Sequence, residues 1–297
     1  MQPATVAYHP QSPESQHQFH VRLNRFNYRR LSPSLMNAHW QNELKTEETI
    51  RIAEGQFVER ERQRITSVAN AVPRNADGFV RWFEALRETG PGQNDALFPR
   101  LAADATLDQM RWFLTQEAAG EAGFDDLVAL TQIRFPVRAK LEMARNYWDE
   151  MGRGHERGMH GLMLAAAVRD LDLKPSPATT MWEALALSNL MVALALNRRY
   201  AYHSVGALGV IEMTAPGRVS LVNEGLKRLG APATARTYFQ LHAGLDVKHS
   251  KAWNEEVIGP LVEAHPETAV AIAEGALMRL AAGARCFSRY RAHLGIE

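Results

Sequence analysis

The chain is short of cysteine, of net charge and of long apolar runs, and each shortage closes off a class of protein. A single cysteine, Cys286, leaves no intramolecular disulfide and no cysteine-rich zinc site to build, so a cytoplasmic, reducing compartment is expected. Lysine and arginine total 34 against 33 aspartates and glutamates, a formal net charge of +1. No global electrostatic footprint therefore points to nucleic acid or to an anionic membrane surface. No run of about 18 apolar residues is present, and residues 1–20, polar and rich in Pro, Gln and His, lack the apolar core of a signal peptide. Strand-like alternation is missing too. The expected partners are a small molecule and a second copy of the chain as a homodimer, with no nucleic acid and no membrane.

What is present is helical periodicity in a chain of 297 residues, 46% of them hydrophobic, enough for one large all-α domain or two small ones. Ile50, Ile52, Ala53, Phe57 and Val58 predict a long, partly exposed helix over about 42–65. A short one over 76–87 ends at the breaker Thr89-Gly-Pro-Gly92. Further helices are expected over 107–116, 125–133, 136–151, 155–171 and 180–207, then a buried segment over 208–213. The rest are expected over 217–229, 234–249, 252–263 and 267–293, with Pro216, Gly230, Pro232 and Pro266 as starts or stops. Pro3, Pro10 and Pro13 argue against an amphipathic helix at the amino terminus. That segment, with Arg22, Arg25, Arg29 and Arg30, reads as an arm that docks on the body or on a second subunit. The boundary drawn from these patterns separates an accessory region, 1–95, from a core bundle, 96–297.

Three groups of residues carry chemistry. His242, Asp246 and His249 sit at offsets of four and seven, which return to one helix face. Two imidazoles and a carboxylate there suit iron, zinc or manganese. The plainer reading is a solvated polar face, against which stand Leu241 and Leu245 on the same helix. Glu212 ends the small and apolar run Gly206–Ile211, where an ionised carboxylate is costly without a cation or hydrogen-bond partner; a metal would serve, and so would Arg198, Arg199 or Arg218. Glu150 and His160 are ten residues apart, so Gly152, Gly154 and Gly158 must bend the chain if both are to converge; otherwise the segment is a surface turn. His155 competes with His160, which leads directly into the apolar stretch 161–167. Three histidines and three carboxylates exceed what one zinc uses and suit two irons with bridging carboxylates.

These residues resemble the heme-oxygenase-like diiron oxidases and oxygenases, an iron-containing redox enzyme family. Its pattern is a Glu followed seven to ten residues on by a His, a Glu on a later helix, and H-x3-D-x2-H. Here those are Glu150 and His160, Glu212, and His242, Asp246 and His249. The similarity covers about residues 95–295, and Asn197–Glu212 resembles the helix that carries the middle Glu. It implies a bundle of about seven helices with an N-terminal helical extension, two Fe(II)/Fe(III) ions, dioxygen as cosubstrate, and no haem. Members oxygenate amino-acid nitrogens, cleave carbon–carbon bonds of amino acids or fatty acids, form nitriles, or consume their own tyrosine to make aminobenzoate. The implied substrate is a small amino-acid-like or carboxylate molecule, with an external reductant. Arg198, Arg199, Tyr200, Tyr202 and His203 precede Glu212 within about four turns, which makes them, with His155, candidates to hold a substrate carboxylate or orient a ligand. The two alternatives are a self-consuming enzyme of the aminobenzoate type and a metal-binding helical protein without oxygen chemistry.

Overall fold

Apolar residues at helical spacing become helix almost throughout. A computed structural model describes residues 13–36 and 38–296, and among them the only strand-like feature is one isolated bridge between Met151 and Met159. The helices are α1 (Pro13–Leu31), α2 (Trp40–Asn70), α3 (Ala76–Thr89), α4 (Leu97–Ala103), α5 (Leu107–Gly120), α6 (Phe124–Thr131) and α7 (Val137–Glu150). After a glycine-rich turn follow α8 (His160–Asp170), α9 (Trp182–Leu196), α10 (Ala201–Arg228), α11 (Ala233–Trp253), α12 (Gly259–Ala264) and α13 (Thr268–Leu294). Past residue 95, seven of them reach eleven residues or more: α5, α7, α8, α9, α10, α11 and α13. Among the described residues the protein is all-α, as expected.

The longest of these, α10, is the axis of the bundle, packed by α11 and α13. Two glycines let α10 and α13 touch backbone to backbone. A Cβ on Gly206 would lie 1.8 Å from the Ile272 carbonyl oxygen, and one on Gly275 would lie 1.8 Å from that of His203, so no larger residue fits at this crossing. Gly209 in turn makes room for the fully buried Trp253, whose Nε1 donates to the Val205 carbonyl at 3.1 Å. The N-terminal helices join the same core. Leu23 and Phe26 of α1, and Ile50, Phe57 and Val58 of α2, are buried against residues of α9, α10 and α13. At roughly 1.5–3 kcal/mol for each such side chain, this burial outweighs the surface ion pairs, each worth about 0–1 kcal/mol.

Several boundaries differ from those expected. Pro13 opens α1 rather than breaking a helix, since a proline in the first turn gives up an N–H that would be unpaired anyway; residues 1–12 lie outside the described residues. The single helix expected over 180–207 stops at Asn197, whose side chain donates to the Ala193 carbonyl at 2.8 Å and to Glu54 at 3.1 Å. Side-chain amides of this kind compete with the helical ladder, and a 3-10 turn over 198–200 redirects the chain into α10. Conversely, α10 runs straight through Pro216, where a stop was expected. The ring removes only the bond to the carbonyl four residues back, that of Glu212, and the buried apolar residues on both sides hold the helix together. The stretch Arg198–Arg228 is long and apolar enough to cross a membrane by composition, but most of it is buried inside the bundle.

Candidate metal centre

Four helices deliver the six residues singled out in the sequence. On α7, Glu142, Asn146 and Glu150 recur every fourth residue and are all buried, the spacing of one helix face. Directly after Glu150 the chain reverses through two 3-10 turns, with positive φ at Gly152 (62°), Arg153 (54°) and Gly154 (83°). The bridge between Met151 and Met159 closes the reversal. It brings His160, at the start of α8, back beside Glu150: His160 Nδ1 lies 2.7 Å from Glu150 Oε2. The glycines thus perform the bend their positions called for, and α8 begins at His160 rather than at 155. His155 stands exposed on the turn.

Glu212 comes from the middle of α10, and His242, Asp246 and His249 come from one face of α11; all four are buried. The ligand atoms of Glu150, His160 and His242 lie within 4.8 Å of one another, and so do those of Glu150, Glu212 and His249. Glu150 is common to both triads. Asp246 belongs to neither, yet lines the same cavity of about 150 Å³ as Glu150, His160, Glu212 and His242.

The hydrogen bonds leave bare several atoms that could hold a metal. His242 Nδ1 contacts the Tyr238 carbonyl at 2.7 Å, so it carries the proton and Nε2 presents a lone pair. His249 Nε2 meets Asp149 at 3.1 Å, and Asp149 also accepts from Arg153 Nε at 2.6 Å. That leaves His249 Nδ1 3.5 Å from Glu212 and without a hydrogen bond. His160 Nδ1, despite its 2.7 Å approach to Glu150, is also out of hydrogen-bonding alignment, and Asp246 Oδ1 has no partner. Asn146 Nδ2 holds Glu212 Oε1 at 2.6 Å. Buried polar atoms are seldom left unpaired; here three orphans belong to residues of one cluster.

Electrostatics point the same way. Burial, reinforced by the nearby Glu212 and Glu150, pushes the Asp246 carboxyl up to about 9. Burial alone would depress His249, but Glu212 and Asp149 beside it outweigh burial and lift it to about 9. His242 is lowered, chiefly by burial. Carboxylates that crowd one another in a dry site hold protons unless a cation replaces them. The donor set of oxygen and imidazole nitrogen, free of sulfur, fits iron.

The other sequence candidates lie elsewhere. Arg198 donates to the carbonyls of Leu130, Thr131 and Ile133, closing the end of α6. Arg199 pairs with Glu59 at 2.9 Å, and Tyr200 donates to the same carboxylate at 2.6 Å. Tyr202 packs edge-on against Phe135, and His203 bonds Glu274 at 2.9 Å. None of them lines the cavity of the ligand cluster. Residues that do, and that went unassigned in the sequence, are Tyr238, Glu121 and Arg279. Tyr238 had a readable signal, being four residues before His242 on the ligand face of α11; its hydroxyl is driven far above its ordinary range, first by burial and then by Glu121, Glu150 and Asp246.

A family model described as "Iron-containing redox enzyme" matches residues 111–284. That is more than half of the chain, and it contains all six of the converging residues. No curated protein matches the chain.

Proposed function

The chain belongs to the iron-containing redox enzyme family of the heme-oxygenase-like superfamily, and from that premise we propose that it is a non-haem diiron oxidoreductase that uses dioxygen to oxidise a small carboxylate or amino-acid-like substrate. The observation that carries this reading is the carboxylate shared by two triads: Glu150 stands within ligand distance of His160 and His242 on one side and of Glu212 and His249 on the other. One carboxylate between two sets of donors is the arrangement of a dinuclear site. In this reading Glu150, His160 and His242 hold one iron, Glu150, Glu212 and His249 hold the second, and Asp246 completes the charge.

Bound iron supplies the electrons and the affinity for dioxygen that side chains lack. The chain's own residues do the rest. Asn146 and Asp149 fix the orientation of Glu212 and His249. Tyr238 fixes the tautomer of His242 through its backbone carbonyl. Leu127, Leu164, Leu187, Met191, Ile211 and Val219 line the cavity beside the ligands and keep bulk water away from the reacting atoms. Substrate and an external reductant come from outside the chain.

Anaerobic titration of the metal-free protein with ferrous iron, followed by oxygen, tests the reading. Two irons per chain and oxygen uptake are expected; one iron or none, with no uptake, overturns it.

Tyr238 favours a second reading, in which the protein is its own substrate. It is the only tyrosine among the described residues that line the ligand cavity, and its ring stands 4.2 Å from that of His242. A mass loss confined to Tyr238 after a single exposure to iron and oxygen would replace the first reading with this one.

A further inference from the structure

Behind the ligand cavity lies a second chamber of about 170 Å³. The two adjoin along Leu164, Leu187, Ile211, Val219 and Tyr238, and Arg279 reaches into both. The lining of the inner chamber is largely apolar, with Phe98, Phe113, Val222, Phe239 and Phe287 among its walls, yet Arg218 of α10 and Arg279 of α13 both open into it.

Elsewhere in the protein, buried and partly buried arginines pair directly with carboxylates. Arg30 pairs with Glu54, Arg62 with Glu274 at 3.1 Å, Arg285 with Glu61 at 2.6 Å, and Arg291 with Asp95. Arg218 and Arg279 have no ion pair among the described residues. The hydrogen bond of Arg218 goes to the uncharged Thr214 hydroxyl at 3.1 Å, and its guanidinium lies over the rings of Phe98 and Phe287 at 5.9 and 5.5 Å. Arg279 Nε is buried with no hydrogen bond at all. Two carboxylates also line the chamber, but both are engaged. Glu117 accepts from the Tyr290 hydroxyl at 3.0 Å, and Glu121 Oε1 accepts from the Ala122 and Gly123 amides at 3.1 and 3.0 Å. Burial raises both carboxyls against the pull of the nearby arginines, and neither makes an ion pair with Arg218 or Arg279.

A guanidinium does not give up its proton under ordinary conditions, so two of them facing a largely apolar chamber without a direct ion pair are costly. An anionic ligand removes that cost, and a carboxylate matches the guanidinium fork. We propose that Arg279 and Arg218 anchor the carboxylate of an apolar organic acid, so that the carbon chain of the acid, and not its carboxylate, is presented to the Glu150 cluster. This rests on the diiron reading only for what happens to the chain once it is there. The oxidised carbon is then remote from the carboxylate, which survives the reaction.

Calorimetric titration of the full-length protein with hexanoate, and with hexan-1-ol as its uncharged counterpart, tests the anchor under anaerobic conditions with and without ferrous iron. Hexanoate should bind at least tenfold tighter than hexan-1-ol whether or not iron is bound. Arg279→Gln and Arg218→Gln should each weaken hexanoate at least tenfold, and Arg279→Lys should retain part of the binding. Without ligand, the Gln variants should melt at the same temperature or higher, because each loses an unpaired buried charge; a structural pairing with Glu117 or Glu121 would make them melt lower. Equal binding of hexanoate and hexan-1-ol to the unmodified protein overturns the proposal even if a variant does not fold. So does hexanoate binding that requires iron and survives both Gln substitutions, since the carboxylate would then sit on the metal. Iron binding with no hexanoate preference defeats the anchor alone, and hexanoate binding without iron uptake defeats the diiron reading alone.

Discussion

Ligands in a shared-carboxylate site are not equivalent, and the inequality can be measured one residue at a time. His160 serves one triad and His249 the other, whereas Glu150 serves both. Replacing His160 or His249 by Ala should therefore lower the ferrous iron bound from two per chain towards one, while Glu150→Ala should abolish tight binding of both; equal stoichiometry in all three variants would overturn the bridging role proposed for Glu150. Behind these residues, Asp149 orients His249 through a 3.1 Å contact. Partners of this kind are worth about 10–100-fold in metal affinity, so Asp149→Asn should weaken iron by that factor in competition with a chelator and leave the stoichiometry unchanged. The six ligand candidates were visible in the sequence because offsets of four and seven, and a carboxylate in an apolar run, are local signals. Asn146 and Asp149 stand in the same stretch as Glu150, but their roles depend on Glu212 and His249, 66 and 100 residues further on. Arg218 entered the reading only as a possible partner of Glu212, and Arg279 not at all, since helical periodicity does not show which charged residues face a cavity.

At the scale of elements, the turn between α7 and α8 determines whether Glu150 and His160 meet. Gly152 has φ of 62°, and a Cβ there would come 2.3 Å from the Gly158 carbonyl carbon. Left-handed backbone costs a non-glycine residue about 1–2 kcal/mol before any clash is counted. Gly152→Ala should accordingly destabilise the protein by at least about 2 kcal/mol in urea unfolding and weaken iron binding, whereas Gly161→Ala, which meets nothing within 4 Å, should do neither. The need for this turn was legible from three glycines between two candidate ligands. The continuity of α10 was not, because whether a proline stops a helix depends on packing around it that only the folded chain supplies. The same holds for α1, whose His20 is fully buried and stacked on Trp182. Burial, then the nearby Arg285 and His17, depress His20 to about 3. A folded-state value below the ordinary 6.5 means that the unfolded chain takes up the proton first, so stability is full above pH 6.5 and is lost as pH falls towards 3. Between pH 6.5 and 4.5 this amounts to about 2 kcal/mol. The loss of thermal stability over that interval should be smaller by a corresponding amount in His20→Gln, and identical pH dependence in the two proteins would show that His20 is not the group responsible.

For the whole molecule, the ligand cluster is a tertiary object. Its residues come from α7, α8, α10 and α11, and Glu150 and His249 are 99 positions apart in sequence, so the unfolded chain holds no comparable site. Iron should therefore bind the native state almost exclusively and stabilise all of it. At a free concentration of about 100 times the dissociation constant the gain is about 2.7 kcal/mol for a single independent site, which in a chain of this size moves the melting temperature by roughly 4–5 °C. Part of that gain comes from relieving the metal-free cluster, in which Glu150, Glu212 and Asp246 repel one another in a buried site and Asp246 is driven to about 9. Differential scanning calorimetry under anaerobic conditions should show the rise on adding ferrous iron, its reversal by a chelator, and its absence in Glu150→Ala. If ferrous iron leaves the unmodified protein's melting temperature where it was, the six residues do not form a metal site at all. Their convergence would then be a proton-sharing cluster, which would predict that Asp246→Asn alone raises the melting temperature at pH 8.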